Sequence, residues 1–144
     1  MKRFLKIISL ILAIALVCAV PVYAEEETSN RSSAYFATHD LYLSKKTSTK
    51  FQVHFDVDAM NIMDELGAKT IKVQRSPDGS TWTTMFTYYR EYYPQMICEN
   101  TGSHAAYVPY TGTVGYYYRA KVTFYAKNSN GSATYTMNTA KILL

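Results

Sequence analysis

The chain reads as an all-β domain of seven strands behind a cleavable leader. Three observations predict this. The stretch Gly115 to Lys127, GYYYRAKVTFYAK, alternates apolar or aromatic residues with polar, basic or tyrosine residues over its whole length. Phe51 to Ala59 alternates as regularly, and turn chemistry recurs about every ten residues, the spacing of an all-β domain. Successive strand side chains point to opposite faces, so a period of two marks a half-buried strand.

The leader comes first. Lys2, Arg3 and Lys6 precede an apolar run of 14 residues, Ile7 to Val20, broken only by Ser9, and Val22-Tyr23-Ala24 offers a cleavage site. This is the pattern of a secretory signal peptide, and the run is shorter than the about 20 residues that a membrane span needs. Cleavage near Ala24 predicts a secreted chain with no membrane span. Cys18 follows Val17, where a lipid-attachment signal carries a small residue, so a lipoprotein anchor is the lesser alternative. Residues 25–33, EEETSNRSS, lack an apolar period and read as a flexible polar leader to a single domain over residues 34–144.

Removing residues 1–24 changes two arguments. The full chain carries a net charge of +4, but the signal holds three basic and no acidic residues, which leaves 12 against 11. A near-neutral domain argues against nucleic acid as a partner, since that affinity rests on clustered phosphate contacts. Of the two cysteines only Cys98 remains, so the fold has no internal disulfide to rely on. Cys98 reads first as a small buried hydrophobe, with an intermolecular disulfide or a reactive thiol as alternatives.

Tyr35 to Ser44 is a weak first strand with Leu41 and Leu43 on one face. In the second, Phe51, Val53, Phe55, Val57 and Ala59 point inward between Gln52, His54, Asp56 and Asp58. Asn61 to Gly67 follows with a capping residue, two acidic residues and a terminal glycine, which predicts one short helical turn. Thr70 to Arg75 is the third strand, with Ile71 and Val73 inward; it enters the turn Ser76-Pro77-Asp78-Gly79 and then a fourth strand, Thr81 to Tyr88. Tyr89 to Gly102 has no period and reads as an irregular loop. Ser103 to Thr113 resumes strand character around Pro109, which cannot donate to a ladder and so belongs on an edge. The sixth strand is the organising stretch, with Tyr116, Tyr118, Ala120, Val122, Phe124 and Ala126 inward. Asn130-Gly131 marks the hairpin to the seventh, Ala133 to Ile142.

Seven such strands in about 110 residues fit an immunoglobulin-like sandwich. TIKVQRSPDGSTW resembles the third strand, turn and fourth strand of fibronectin type III-like domains, and YYYRAKVTFYAKNSNGSATY their sixth strand, hairpin and seventh strand. The signal peptide, FQVHFDV, MDELGAKTIKVQRSPDGSTW and GTVGYYYRAKVTFYAKN together resemble a group of short secreted proteins of Gram-positive bacteria with no assigned function. That resemblance implies a fold and a compartment and brings no catalytic residue. The sandwich predicts that Trp82 packs between the sheets and that Tyr116 or Tyr118 forms a tyrosine corner.

No motif for catalysis or for a cofactor occurs. His39, His54 and His104 lie on separate predicted elements, with no metal-binding spacing between them or around Cys98. Asp56, Asp58, Asp64 and Glu65 gather where the second strand meets the expected helical turn, but lack the spacing of a calcium loop. Two features stand above an ordinary surface. Tyr88, Tyr89, Tyr92 and Tyr93 bracket the irregular loop, and Tyr117, Arg119, Lys121, Tyr125 and Lys127 form the outer face of the sixth strand. Tyrosine gives rigid amphipathic contact area, and a basic stripe suits an anionic polymer. The expectation is a non-catalytic binding module for an envelope polymer, a glycan or a protein. The alternatives are a small hydrolase built on the acidic cluster and a histidine, and a self-assembling surface protein.

Overall fold

The computed structural model describes residues 34–144; the signal peptide, Cys18 and the polar leader expected over residues 1–33 lie outside them. The described chain is mostly strand: β1 (Phe36–Lys45), β2 (Lys50–Ser76), β3 (Thr83–Tyr89), β4 (Ile97–Thr111), β5 (Tyr117–Asn128), β6 (Gly131–Asn138) and β7 (Ile142–Leu143). All seven belong to one antiparallel sheet.

β2 is the hub. Phe51 to Asp58 pair with β1 on one side and β4 on the other, and Thr70 to Arg75 pair with β3 and β5. β3 and β4 therefore follow one edge of β2 in succession, while β1 and β5 follow the other. Outside β5 run β6 and β7. β5 is central, as its alternation predicts, but the 27-residue β2 is what joins the two ends of the sheet. Strands of this length are rare, and this one serves as two.

The helical turn expected at Asn61 to Gly67 is absent, and the second and third expected strands are one. Its capping chemistry is overruled by ladders on both edges: Leu66 lies between Cys98 of β4 and Ala126 of β5, and Met63 and Leu66 are wholly buried. Between the pairs Asp58–Ser103 and Met63–Thr101, β2 carries four residues against one on β4, a bulge that bends the strand. Gly67 completes the bend at φ +151°, where an added Cβ would lie 2.1 Å from the carbonyl oxygen of Met96. It is a glycine because the 3₁₀ turn that leads into β4 lies against it. The sheet thereby curls into a half-barrel. The apolar inner sides of its two halves meet, with the Phe51 ring 5.3 Å from Tyr118 and Phe55 6.3 Å from Phe124.

The core contains Phe51, Val53, Phe55, Val57, Ile71, Val73, Tyr118, Val122 and Phe124, as the alternation predicts. Tyr116 precedes β5 and is only half-buried, packed against the core under the Arg75 guanidinium. Trp82 is a clearer correction: it precedes β3, is half-buried and lies outside the core, its ring covered by the Arg119 guanidinium at 4.3 Å on the outer face. The aromatic positions between the halves are filled instead by Tyr118 and Tyr88. Tyr118 accepts a hydrogen bond from the backbone N–H of Thr113 at 2.8 Å, the geometry sought in a tyrosine corner. The expected loop at 89–102 shrinks to residues 90–96, with a 3₁₀ turn at Pro94–Met96, because β4 begins at Ile97; Met96 is buried.

Two turns form as their sequences predict. Ser76 and Asp78 bond to each other and to the backbone N–H groups of Gly79, Ser80 and Thr81. Asn128 pairs with Gly131 across a two-residue turn in which its side chain accepts from the N–H of Asn130. Pro109 lies on β4, which among the described residues pairs only with β2 and is an edge.

Candidate functional site

Register decides what the outer faces carry. On the β1–β2–β4 half, Tyr42 pairs with His54 and His54 with Tyr107. The three rings form a row across three strands: Tyr42 and His54 are parallel with centroids 4.8 Å apart, and His54 and Tyr107 are 5.2 Å apart at 33°. Both tyrosines are 49% exposed, so each keeps part of its ring accessible while the rest packs along the row. The next row is Asp40, Asp56 and Ala105, and the small side chain of Ala105 leaves room beside Tyr107. A shallow groove of about 370 Å³ results, lined by Asp40, Tyr42, His54, Phe55, Asp56, Ala105, Ala106 and Tyr107.

His54 is held within this row. Its Nε2 pairs with Gln52 Oε1 at 3.1 Å. Burial, and then the nearby Lys46 charge, push its pKa below the ordinary value, which favours the neutral imidazole. A neutral ring between two phenols is a stacking surface with hydrogen-bonding edges. Asp40 caps the backbone N–H of its neighbour Leu41 at 2.8 Å, and Asp58 accepts from Thr38 at 2.7 Å.

The basic stripe on β5 is largely spent within the fold. Arg119 lies over Trp82 and donates from Nε to Gln74 at 2.8 Å. Tyr125 lies under Arg90 at 4.6 Å, Tyr117 is met by Lys141 at 5.1 Å, and Lys127 reaches Glu65 at 3.3 Å. Glu65 also accepts from Arg90. Burial alone raises the Glu65 pKa, but these two cations more than offset it and hold the carboxyl below its ordinary value. Only Lys121 of the stripe has neither an acidic nor an aromatic partner among the described residues; it faces Lys72 across the β2–β5 ladder.

The four loop tyrosines separate. Tyr88 is 5% exposed and donates its hydroxyl to the carbonyl of Pro109 across the core, and burial, with lesser effects of Tyr93 and Tyr110, pushes its pKa up to about 12. Tyr93 packs edge-on against it at 4.8 Å. Only Tyr89 and Tyr92 remain exposed, at 46% and 79%.

The acidic cluster also disperses: Asp56 faces the groove, Asp58 meets Thr38, Asp64 is exposed and Glu65 joins its two cations. Among the described residues no three His, Cys, Asp or Glu side chains converge on a metal site. His39 packs 4.7 Å from Tyr135, and His104 donates to the carbonyl of Gln95 at 2.9 Å. Cys98 is half-buried with a free thiol. No helix of the described residues is long and apolar enough to cross a membrane.

Tyr42 and Tyr107 escape the sequence reading. Their outward parity is visible, since each neighbours an inward leucine or valine, but that both flank His54 depends on β1 and β4 pairing with opposite edges of β2. No family model, no curated protein and no solved structure matches this chain.

Proposed function

We propose that this protein is a secreted, non-catalytic binding module of the Gram-positive cell envelope that holds a glycan in the groove of Tyr42, His54 and Tyr107. The aromatic row carries the reading. Sugar rings present flat apolar faces edged by hydroxyls. The accessible parts of the row's three rings, beside Asp40 and Asp56, offer apolar contact area and hydrogen-bond acceptors in the same groove. An open, shallow groove suits a polymer that passes through it. In this reading the bent sheet is an immunoglobulin-like sandwich of the fibronectin type III kind, supported by the hydrogen bond from Thr113 to Tyr118 and by the two facing apolar layers.

A hydrolytic role draws support from Asp56 and His54 lining one groove. Against it, both aspartates are exposed, whereas a general acid needs burial to keep its proton.

The test is co-sedimentation with insoluble cell-wall glycan, comparing the native protein with Tyr42→Ala, Tyr107→Ala and the double substitution Arg119→Ala/Lys121→Ala. Each tyrosine truncation is expected to weaken binding roughly tenfold, the scale of an interface hot spot, with the basic-face variant unchanged. Binding that survives both tyrosine truncations would refute the groove; loss only in the basic-face variant would move the site to β5.

A further inference from the structure

The two outer faces each hold a like-charge pair at directly opposed positions. On the β1–β2 side, Asp40 faces Asp56; on the β2–β5 side, Lys72 faces Lys121. All four residues are exposed, and none forms an ion pair among the described residues. Opposed like charges destabilise a sheet, so each pair leaves a local repulsion that a partner of opposite sign would relieve. We infer that the partner is a second copy of this chain, whose Lys72 and Lys121 dock on Asp40 and Asp56.

Three observations favour that occupant. The charges are complementary, two carboxylates against two ammonium groups. Their spacing matches, because both pairs are set by adjacent strands, which place opposed Cβ atoms about 5 Å apart. The faces also point away from each other: Phe55 and Val57 beside Asp56, and Ile71 and Val73 beside Lys72, turn inward to the same core. A contact between unlike faces is heterologous, so it extends copy after copy into a string or a ring instead of closing as a two-fold dimer. This inference does not require the glycan reading, although a glycan in the groove would compete with it at Asp40 and Asp56.

The experiment is sedimentation velocity on the purified chain, expressed with its own leader in a secreting bacterial host, over a concentration series. At low ionic strength the weight-average mass is expected to rise about twofold or more, and at about 1 M salt, where the screening length is about 3 Å, to fall to that of the monomer. Asp40→Lys/Asp56→Lys and Lys72→Glu/Lys121→Glu should each be monomeric alone and should associate when mixed, because mixing restores opposite signs. The restored association also shows that both variants are folded, and the milder Asp40→Asn/Asp56→Asn should lose self-association without gaining that rescue. A native chain that remains monomeric at low salt overturns the proposal, as does association unaffected by either reversal or a mixture that stays monomeric. A monomeric chain that instead retains soluble polyphosphate through Lys72 and Lys121 also overturns it and makes an anionic polymer the occupant.

Discussion

The hydroxyl of Tyr118 accepts the backbone N–H of Thr113 at 2.8 Å while its ring lies over Gly112, where a Cβ would come within 2.7 Å of Cζ. The connection from β4 to β5 is thus clasped to the core by one side chain. Tyr118→Phe keeps the ring and loses the acceptor, which should cost about 1 kcal/mol. Gly112→Ala should cost more, because the new methyl meets both Tyr118 and Leu144. Urea denaturation of both variants beside the parent checks the order; a Tyr118→Phe midpoint equal to the parent's would show that the hydrogen bond of the clasp contributes nothing.

Gly67 is the second position where a methyl group has no room. Its φ of +151° is open to glycine, and the Met96 carbonyl stands where a Cβ would be. Gly67→Ala should destabilise by about 3 kcal/mol or more, combining backbone strain with displacement of the start of β4. Thermal unfolding within a degree of the parent would mean that β2 does not need its bend at this residue.

Trp82→Ala should be mild. A core tryptophan lost to alanine costs about 3–5 kcal/mol, but this ring is half-buried and its main partner is Arg119 on the outer face. The expected loss is about 1 kcal/mol, the scale of a partly exposed cation–π contact. A double-mutant cycle with Arg119→Ala measures the coupling directly; a coupling near zero would assign the loss to burial alone.

Trp82 also shows where sequence reading stops. Alternation placed the inward residues of β5 and of Phe51 to Val57 correctly, because a period of two is local and survives any topology. Ser76 to Gly79 and Asn128 to Gly131 were legible for the same reason, each closing hydrogen bonds within a few residues. What Trp82 touches depends on Arg119, 37 positions away, and what Asn61 to Gly67 becomes depends on β4 and β5 arriving on both sides. Local capping chemistry favoured a helical turn there, and ladder hydrogen bonds to two later strands outweighed it. The row of Tyr42, His54 and Tyr107 was hidden in the same way: each residue's face was legible, and their adjacency was not.

Asp78 makes stability depend on acid. The N–H groups of Thr81 and Ser80, and then the Ser76 hydroxyl, hold its carboxyl at about 2 against an ordinary 3.8. A depressed carboxyl stabilises the fold in its charged form, so its contribution is complete above about pH 4 and is lost as pH falls toward 2. The unfolding midpoint should drop across that window, and Asp78→Asn should flatten the drop. An unchanged slope would show that other carboxylates govern acid unfolding.

His54 gives the last prediction, and its sign is opposite to that of a histidine gaining an acidic partner. Burial first, and the Lys46 charge second, both disfavour the imidazolium, so the folded pKa lies below the ordinary 6.5. The neutral ring is the form that the fold favours: its stabilising contribution is complete above about pH 6.5 and is lost as pH falls through the lowered value. NMR titration of the His54 ring should therefore give a midpoint below 6.5. Lys46→Ala should raise it part of the way, because the charge is removed and the burial is not. Tyr42→Ala should raise it further, because water then reaches the face that the phenol covers. If Tyr42→Ala leaves the midpoint in place, the stacked phenol is not what keeps His54 neutral, and the groove owes its neutral row to Lys46 and to the rest of the sheet.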